Sequence, residues 1–222
     1  STLRGVAFDV NASGNNGTIE FYLNDAPISS GVLFQSMFDV GQIEVLRGPQ
    51  GTLRGRASPS GSITVTTRKP NLSSVGGYMT GTANDLGGWN VNGAFNVPVL
   101  EDKLAVRVAG IVEANRDNRV RSLNSPVRPR GETQGIRASV LFEPFDILTM
   151  GFVYTHTDRK VTTFDQVESL PGAPVTILPK DRAARMVTPR NYRQNFEVFN
   201  WNGELRLASQ KLNYVGSITK QK

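Results

Sequence analysis

The sequence predicts a mainly β chain whose larger part is about seven amphipathic antiparallel strands. Three observations carry this. Apolar and polar residues alternate with a period of two over most of residues 76–222. Hardly any segment keeps a helical apolar period, and the helix-friendly run Asp181-Arg182-Ala183-Ala184-Arg185-Met186 is too short to stand alone. The links between the alternating segments are themselves short and long in turn.

Before residue 76 the strands are short and punctuated by glycine. Thr18–Ile28 (TIEFYLNDAPI), Gln42–Gly48 (QIEVLRG) and Gly61–Pro70 (GSITVTTRKP) each read this way, and Asn24-Asp25 ahead of Ala26-Pro27 predicts a turn.

Beyond residue 76 the pattern becomes regular. A weak strand at Tyr78–Asp85 comes first. Then Trp89, Val91, Gly93, Phe95 and Val97 oppose Asn90, Asn92, Ala94 and Asn96. Leu104, Val106, Val108, Gly110 and Val112 oppose Ala105, Arg107, Ala109, Ile111 and Glu113. Ile136, Ala138, Val140 and Phe142 oppose Arg137, Ser139, Leu141 and Glu143. Leu148, Met150, Phe152 and Tyr154 oppose Thr149, Gly151, Val153 and Thr155. The last two strands set Phe199, Trp201, Gly203, Leu205 and Leu207 against Asn200, Asn202, Glu204 and Arg206, then Leu212, Tyr214 and Ile218 against Asn213, Ser217 and Thr219.

Short turns follow the second, fourth and sixth strands, and long links at 115–133 and 158–196 follow the third and fifth. In an up-and-down sheet this puts the short turns on one edge and the long links on the other. Two architectures fit. In a soluble antiparallel sandwich the apolar face packs inward and the polar face meets water. In a membrane barrel the apolar face meets lipid, the polar face lines a lumen, and one rim carries long loops. Trp89, Phe142, Phe145, Tyr154 and Trp201 suit an aromatic girdle at strand ends in the second case.

Composition narrows the classes. There are no cysteines among the 222 residues, which excludes disulfide frameworks and thiolate metal sites. Lys and Arg number 25 against 19 Asp and Glu, for a net charge of +6. Such an excess suits nucleic acid, an anionic membrane surface or an acidic small molecule. The basic residues are spread over the links rather than over one aromatic-interleaved face, which argues against nucleic acid. No apolar run reaches the length of a transmembrane helix.

The segment Ile43–Pro70 (IEVLRGPQGTLRGRASPSGSITVTTRKP) runs strand, Gly/Pro-rich loop, strand. A phosphate-binding P-loop needs Gly-Lys-Ser/Thr opening a helix, whereas here Gly55-Arg56-Ala57 leads into a strand, so the nucleotide reading fails. The segment resembles the end of the plug domain of TonB-dependent outer-membrane receptors. The residues that carry the resemblance are Ile43 through Leu53, then Gly55-Arg56, Gly61, Ile63 and Thr67 to Pro70. Leu3-Arg4-Gly5-Val6, Phe21 to Pro27 and Phe38-Asp39-Val40 are similar to upstream plug segments in the same order.

The resemblance implies a plug at 1–75 and the first strands of a transmembrane β-barrel at 76–222. In that family the plug folds inside a barrel of about 22 strands, a size whose lumen needs filling. Gly48, Gly51, Gly55 and Gly61 then allow left-handed turns and close approach to the wall. Glu44 and Arg47 are expected to form ion-pair locks between plug and barrel, the alternative being that they pair with each other. The loop tip departs from the family pattern: Arg54 stands where an aromatic is usual, Ala57 where an Asn is usual, and Ser58-Pro59-Ser60 precedes Gly61. Arg54, Arg56 and Ser58 are therefore the candidate ligand contacts, and an arginine there favours an anionic ligand, since its guanidinium matches carboxylate or phosphate. Arg116, Arg119, Arg121, Arg128 and Arg130 in the first long link extend that bias.

By resemblance the function is energy-driven import of a scarce substrate across the outer membrane of a Gram-negative bacterium, a siderophore–iron complex or an anionic organic molecule being favoured. The implied partners are the periplasmic TonB protein, outer-membrane lipid and lipopolysaccharide, and the substrate. No catalytic residue, metal site or cofactor is implied. The single histidine, His156, falls on the apolar face of its strand with no nucleophile near it in sequence. About seven strands do not close around a plug, because open edges are not tolerated in lipid; the chain reads as an internal part of a longer receptor. The competing reading is a soluble carbohydrate-binding or other ligand-binding β domain, which requires the apolar strand faces to be buried.

Overall fold

The computed structural model describes residues 2–3, 6–7, 19–49, 60–116, 120–164 and 177–221. In chain order the elements are β1 (Thr2–Leu3), β2 (Val6–Ala7), β3 (Ile19–Leu23), β4 (Ala26–Pro27), α1 (Ser30–Gln35), β5 (Val40–Arg47) and β6 (Gly61–Thr67). There follow β7 (Gly76–Ala83), β8 (Trp89–Leu100), β9 (Leu104–Asn115), β10 (Arg121–Ser122), β11 (Arg130–Phe145) and β12 (Leu148–Thr163). A 3-10 turn at Pro179–Asp181, β13 (Ala183–Ala184), β14 (Arg190–Leu207) and β15 (Gln210–Gln221) complete the order.

The first body is a four-stranded sheet of order β4-β3-β6-β5. β3 and β6 run parallel at its centre, and β5 pairs antiparallel on the edge. Asn24 and Asp25 both take positive φ in the turn that joins β3 to β4, as a tight two-residue hairpin turn requires. Asn24 Oδ1 also accepts from the amide and hydroxyl of Thr67 at 2.9 and 3.1 Å, tying the hairpin to the end of β6. α1 is only six residues long and is stabilised by burial: Val32 and Leu33 join Ile19, Phe21, Leu23 and Val65 in one apolar core.

The second body is a seven-stranded antiparallel sheet of order β15-β14-β12-β11-β9-β8-β7, each strand paired with the next long strand along the chain. The short turns at 101–103, 146–147 and 208–209 share one edge. The turn at 84–88 and the long links at 116–129 and 164–189 share the other.

The two bodies touch through the polar face of the large sheet. Asn96, Ala105, Arg107, Ala109, Arg137, Ser139, Thr155, Thr157, Val198 and Asn200 are buried beneath the small body. The opposite face leaves Phe95, Val108, Ile136, Phe152, Phe199, Leu212 and Tyr214 uncovered. This is an inverted sheet, with polar side chains in and apolar side chains out. A sandwich in water would lose the transfer free energy of every one of those side chains, about 1.5–3 kcal/mol for each large one. A wall facing lipid regains it. The arrangement decides between the two architectures the alternation leaves open.

Two expectations need correction. β11, β12 and β14 have 16, 16 and 18 residues, well past the segments that alternate. At about 3.4 Å per residue such strands outreach a hydrocarbon core of about 30 Å even when tilted. Alternation fades on the long-link side because both faces meet water there. For the same reason Tyr154 and Trp201, expected at strand ends, lie inside β12 and β14, where Trp201 pairs with Phe152 and Tyr154 with Phe199.

Candidate functional site

The contact between the small body and the wall centres on Ser36–Asp39, the segment between α1 and β5. The wall sends two arginines to it from neighbouring strands. Arg107 of β9 donates from Nε to Asp39 Oδ2 at 2.8 Å and from Nη2 to Asp39 Oδ1 at 2.6 Å. The pair is desolvated, with side chains 10% and 1% exposed. Asp39 Oδ1 also accepts from the Tyr78 hydroxyl of β7 at 3.3 Å. Asp39 takes a left-handed φ of 50°, which aims its carboxylate at the wall.

Arg137 of β11 is 1% exposed. Its Nη1 donates to the Phe38 carbonyl, its Nη2 to the Ser36 carbonyl at 2.6 Å, and its Nε to Thr155 Oγ1 at 3.0 Å. The guanidinium lies 4.4 Å from the Phe38 ring centre, in cation–π range. Phe38 in turn packs with Ala94 and Ala109, and its ring lies 3.0 Å from where a Cβ on Gly135 would stand. The alternation puts Arg107 and Arg137 on the polar face without giving them a role. An arginine set among alanines and serines at mid-strand is the signal that could have singled them out, because a cation inside a lumen needs a partner.

Two further contacts join the bodies. Gln35 Nε2 donates to Gln194 Oε1 at 2.6 Å, and Asn200 Nδ2 lies 3.5 Å from the Leu23 carbonyl. Phe196 and Val198 of β14 pack in the same core as Leu23, Val32 and Leu33. The link at 68–75 is held by Asn96, which accepts from Asn71 N at 2.8 Å and donates to the carbonyls of Asn71 and Ser74 at 3.0 and 2.8 Å.

Toward the long-link edge the inward face carries a polar ladder. Glu113 accepts from Asn90 and Asn115, both at 3.3 Å, and Asn92 donates to Asn90 at 2.9 Å. Thr133 and Arg159 continue it in register on β11 and β12. β10 and β13 form a short parallel bridge that joins the two long links, with Ser122, Ala183 and Ala184 buried.

Of the residues expected from the sequence, Glu44 and Arg47 lie exposed on the edge strand β5, where Glu44 accepts from Gln42 at 2.9 Å. Gly48 takes φ +96° and donates to the Ser60 carbonyl at 3.1 Å. Gly61 takes φ +135°, and a Cβ there would run into the Leu46 carbonyl oxygen. Arg54, Arg56, Ser58, Gly51 and Gly55 lie outside the described residues, as does Arg119. Arg116, Arg121, Arg128 and Arg130 are exposed on the long-link side. His156 is half-buried on the outward face, opposite Ile136 and Glu197. Among the described residues no group of three or more His, Asp or Glu could hold a metal ion.

No family model matches the chain. The pesticin receptor of Yersinia pestis is 26% identical over 125 residues, covering 56% of this chain and 18% of that receptor. The catecholate siderophore receptor Fiu of Escherichia coli K12 is 28% identical over 148 residues, covering 61% of this chain and 18% of that protein. Among solved structures, the ferric yersiniabactin uptake receptor FyuA from Yersinia pestis superposes with a TM-score of 0.74 at 19% identity, over 93% of this chain and 32% of that one. The chain thus spans about a fifth of the curated relatives it matches and about a third of the solved structure.

Proposed function

We infer that this chain, homologous over part of its length to TonB-dependent siderophore receptors, belongs to an importer that carries a ferric siderophore across the outer membrane of a Gram-negative bacterium. In this reading residues 1–75 are the later part of the plug and residues 76–222 the first part of the barrel. The observation that carries it is the inverted sheet, which holds a folded body on its polar face and leaves its apolar face uncovered. A wall built this way spans lipid, and its polar side lines a lumen that the body occupies. A soluble ligand-binding domain would bury the face that is uncovered here.

Each group then has a task. Arg107 and Arg137 fasten the plug to the wall. Glu44 and Arg47, on the free edge of β5, are placed to lock onto wall strands beyond the seven present. The ladder of Asn90, Asn92 and Glu113 presents hydrogen-bonding groups to substrate above the plug. Arg54, Arg56 and Ser58 contact an anionic chelate from the plug side. Periplasmic TonB supplies the work that moves the plug, and lipopolysaccharide surrounds the outer rim.

The test is uptake of radioactive iron from ferric catecholate and from ferric yersiniabactin, the cargo classes in the relatives' names. It uses the full-length receptor in a host that lacks its own siderophore receptors and keeps its energy-coupling proteins. The expected result is uptake that stops when the proton gradient is collapsed. A receptor that is folded in the outer membrane yet imports neither complex would sink this cargo class.

A further inference from the structure

We propose that the substrate route runs between the plug and the wall strands β12, β14 and β15, while Ser36–Asp39 stays fastened to β9 and β11. This rests on the importer reading and adds the side of the barrel on which the passage opens.

The two sides of the plug are held by different chemistry. On the β9–β11 side two buried guanidiniums grip one short segment, Arg107 through Asp39 and Arg137 through the carbonyls of Ser36 and Phe38. Parting these groups leaves a cation and a carboxylate without their partners, a penalty that the neutral contacts on the other side do not carry. Phe38 fills the remaining space against Ala94 and Ala109.

On the β14 side the contact is an apolar cluster, Phe196 and Val198 with Leu23, Val32 and Leu33, together with the neutral contacts Gln35–Gln194 and Asn200–Leu23. Separating apolar surfaces and neutral amides in a lumen that floods with water strands no charge. Asn200 Oδ1 is buried and unpartnered even in the closed state, so opening gains it a water.

Directly toward the short-turn edge from this cluster lies a cleft of about 520 Å³. Its walls include Asn24 and Thr67 of the plug and Ser139, Gly151, Asn202 and Asn213 of the barrel. The seam at Phe196 and Val198 is therefore a neutral closure above a preformed polar chamber. Displacing the plug a short way at β14 connects the lumen above to the chamber below, and the arginines act as the hinge side of that movement.

Two measurements on the full-length receptor test this, and this segment has no native cysteine to interfere. In the purified receptor, single cysteines at Val198→Cys and Ala109→Cys report when each side opens as urea is raised. Val198→Cys is expected to react with a thiol reagent at clearly lower urea than Ala109→Cys; coincident or reversed order overturns the proposal. In cells, the pairs Gln35→Cys/Gln194→Cys and Asp39→Cys/Arg107→Cys are bridged with a short cleavable thiol cross-linker, and uptake of ferric catecholate is compared with each pair before bridging. Bridging the first pair is expected to cut uptake about tenfold, reversibly, and bridging the second to leave it within about twofold. Loss of uptake on bridging the second pair, or no loss on bridging the first, overturns the route. Absence of uptake by the receptor without substitutions sinks the cargo reading instead, and the urea order then decides the seam alone.

Discussion

Arg107 and Asp39 are 68 residues apart in sequence and meet in two hydrogen bonds of 2.6 and 2.8 Å across the boundary between wall and plug. A bidentate pair of this kind holds both position and direction, because the planar fork of the guanidinium matches the carboxylate edge. Its worth lies less in the pair's net energy than in the cost of breaking it from one side. Asp39→Ala leaves the guanidinium buried and unpaired and is expected to destabilise the plug–wall contact by about 3–5 kcal/mol. The double variant Asp39→Ala/Arg107→Met removes both charges and is expected to recover much of that loss. Urea midpoints of the full-length protein in detergent measure both along with Arg107→Met alone, and a double-variant loss equal to the sum of the two single losses would show that the pair is not coupled.

Arg137 makes a different demand. It serves three acceptors that diverge, the carbonyls of Ser36 and Phe38 and the hydroxyl of Thr155. A lysine keeps the charge but places one compact ammonium where three separated donors are needed. Arg137→Lys is therefore expected to cost about 2–4 kcal/mol, from at least one carbonyl left unsatisfied beside a buried cation. Arg107→Lys, which faces a single carboxylate, is expected to cost less. The same urea series ranks the two, and a reversed ranking would mean that the carbonyl contacts of Arg137 carry little energy.

These contacts show where sequence reading stops. The alternation in β8, β9, β11, β12 and β14 is a local signal, set residue by residue by an uncovered apolar face on one side and a covered polar face on the other, so it is legible. It puts Arg107 and Arg137 on the polar face. Their partners on the small body lie 68 to 101 residues away, and no local pattern links Arg137 to two backbone carbonyls that any residue could supply. The strand ends beyond Ile136, Thr155 and Phe199 escape for the opposite reason. There the chain has left the apolar layer, polar pairs such as Arg193–Asp158 and Thr162–Asn191 join the backbone hydrogen bonds, and side chains no longer report which way they face.

Gly61 and Gly48 separate two reasons for glycine. Both take positive φ, at +135° and +96°, where a side chain is strained by about 1–3 kcal/mol. A Cβ added at Gly48 would meet nothing within 4 Å, whereas at Gly61 that atom would press into the Leu46 carbonyl oxygen across the β5–β6 pair. Gly61→Ala is expected to exceed Gly48→Ala in cost, since it adds a steric clash with fixed backbone to the same conformational strain. Protease resistance of the plug in the folded receptor reads this directly, with Gly61→Ala cut faster than Gly48→Ala.

The inverted sheet makes the sharpest demand of all. Phe152 stands on the uncovered face in register with Val140 and Trp201, while Asn213 of β15 lines the inner cleft. If the outer face meets lipid, Phe152→Arg places a cation in hydrocarbon and is expected to cost about 2–4 kcal/mol. Asn213→Arg turns the same charge into a wet lumen and is expected to stay within about 0.5 kcal/mol. Folding of the full-length receptor into lipid vesicles, followed through urea, compares them. A water-soluble domain predicts no such contrast, because in water an exposed Phe152 is replaced by arginine at no cost. Equal tolerance at the two positions would therefore remove the membrane from the account of this sheet, and with it the lumen that the plug is there to fill.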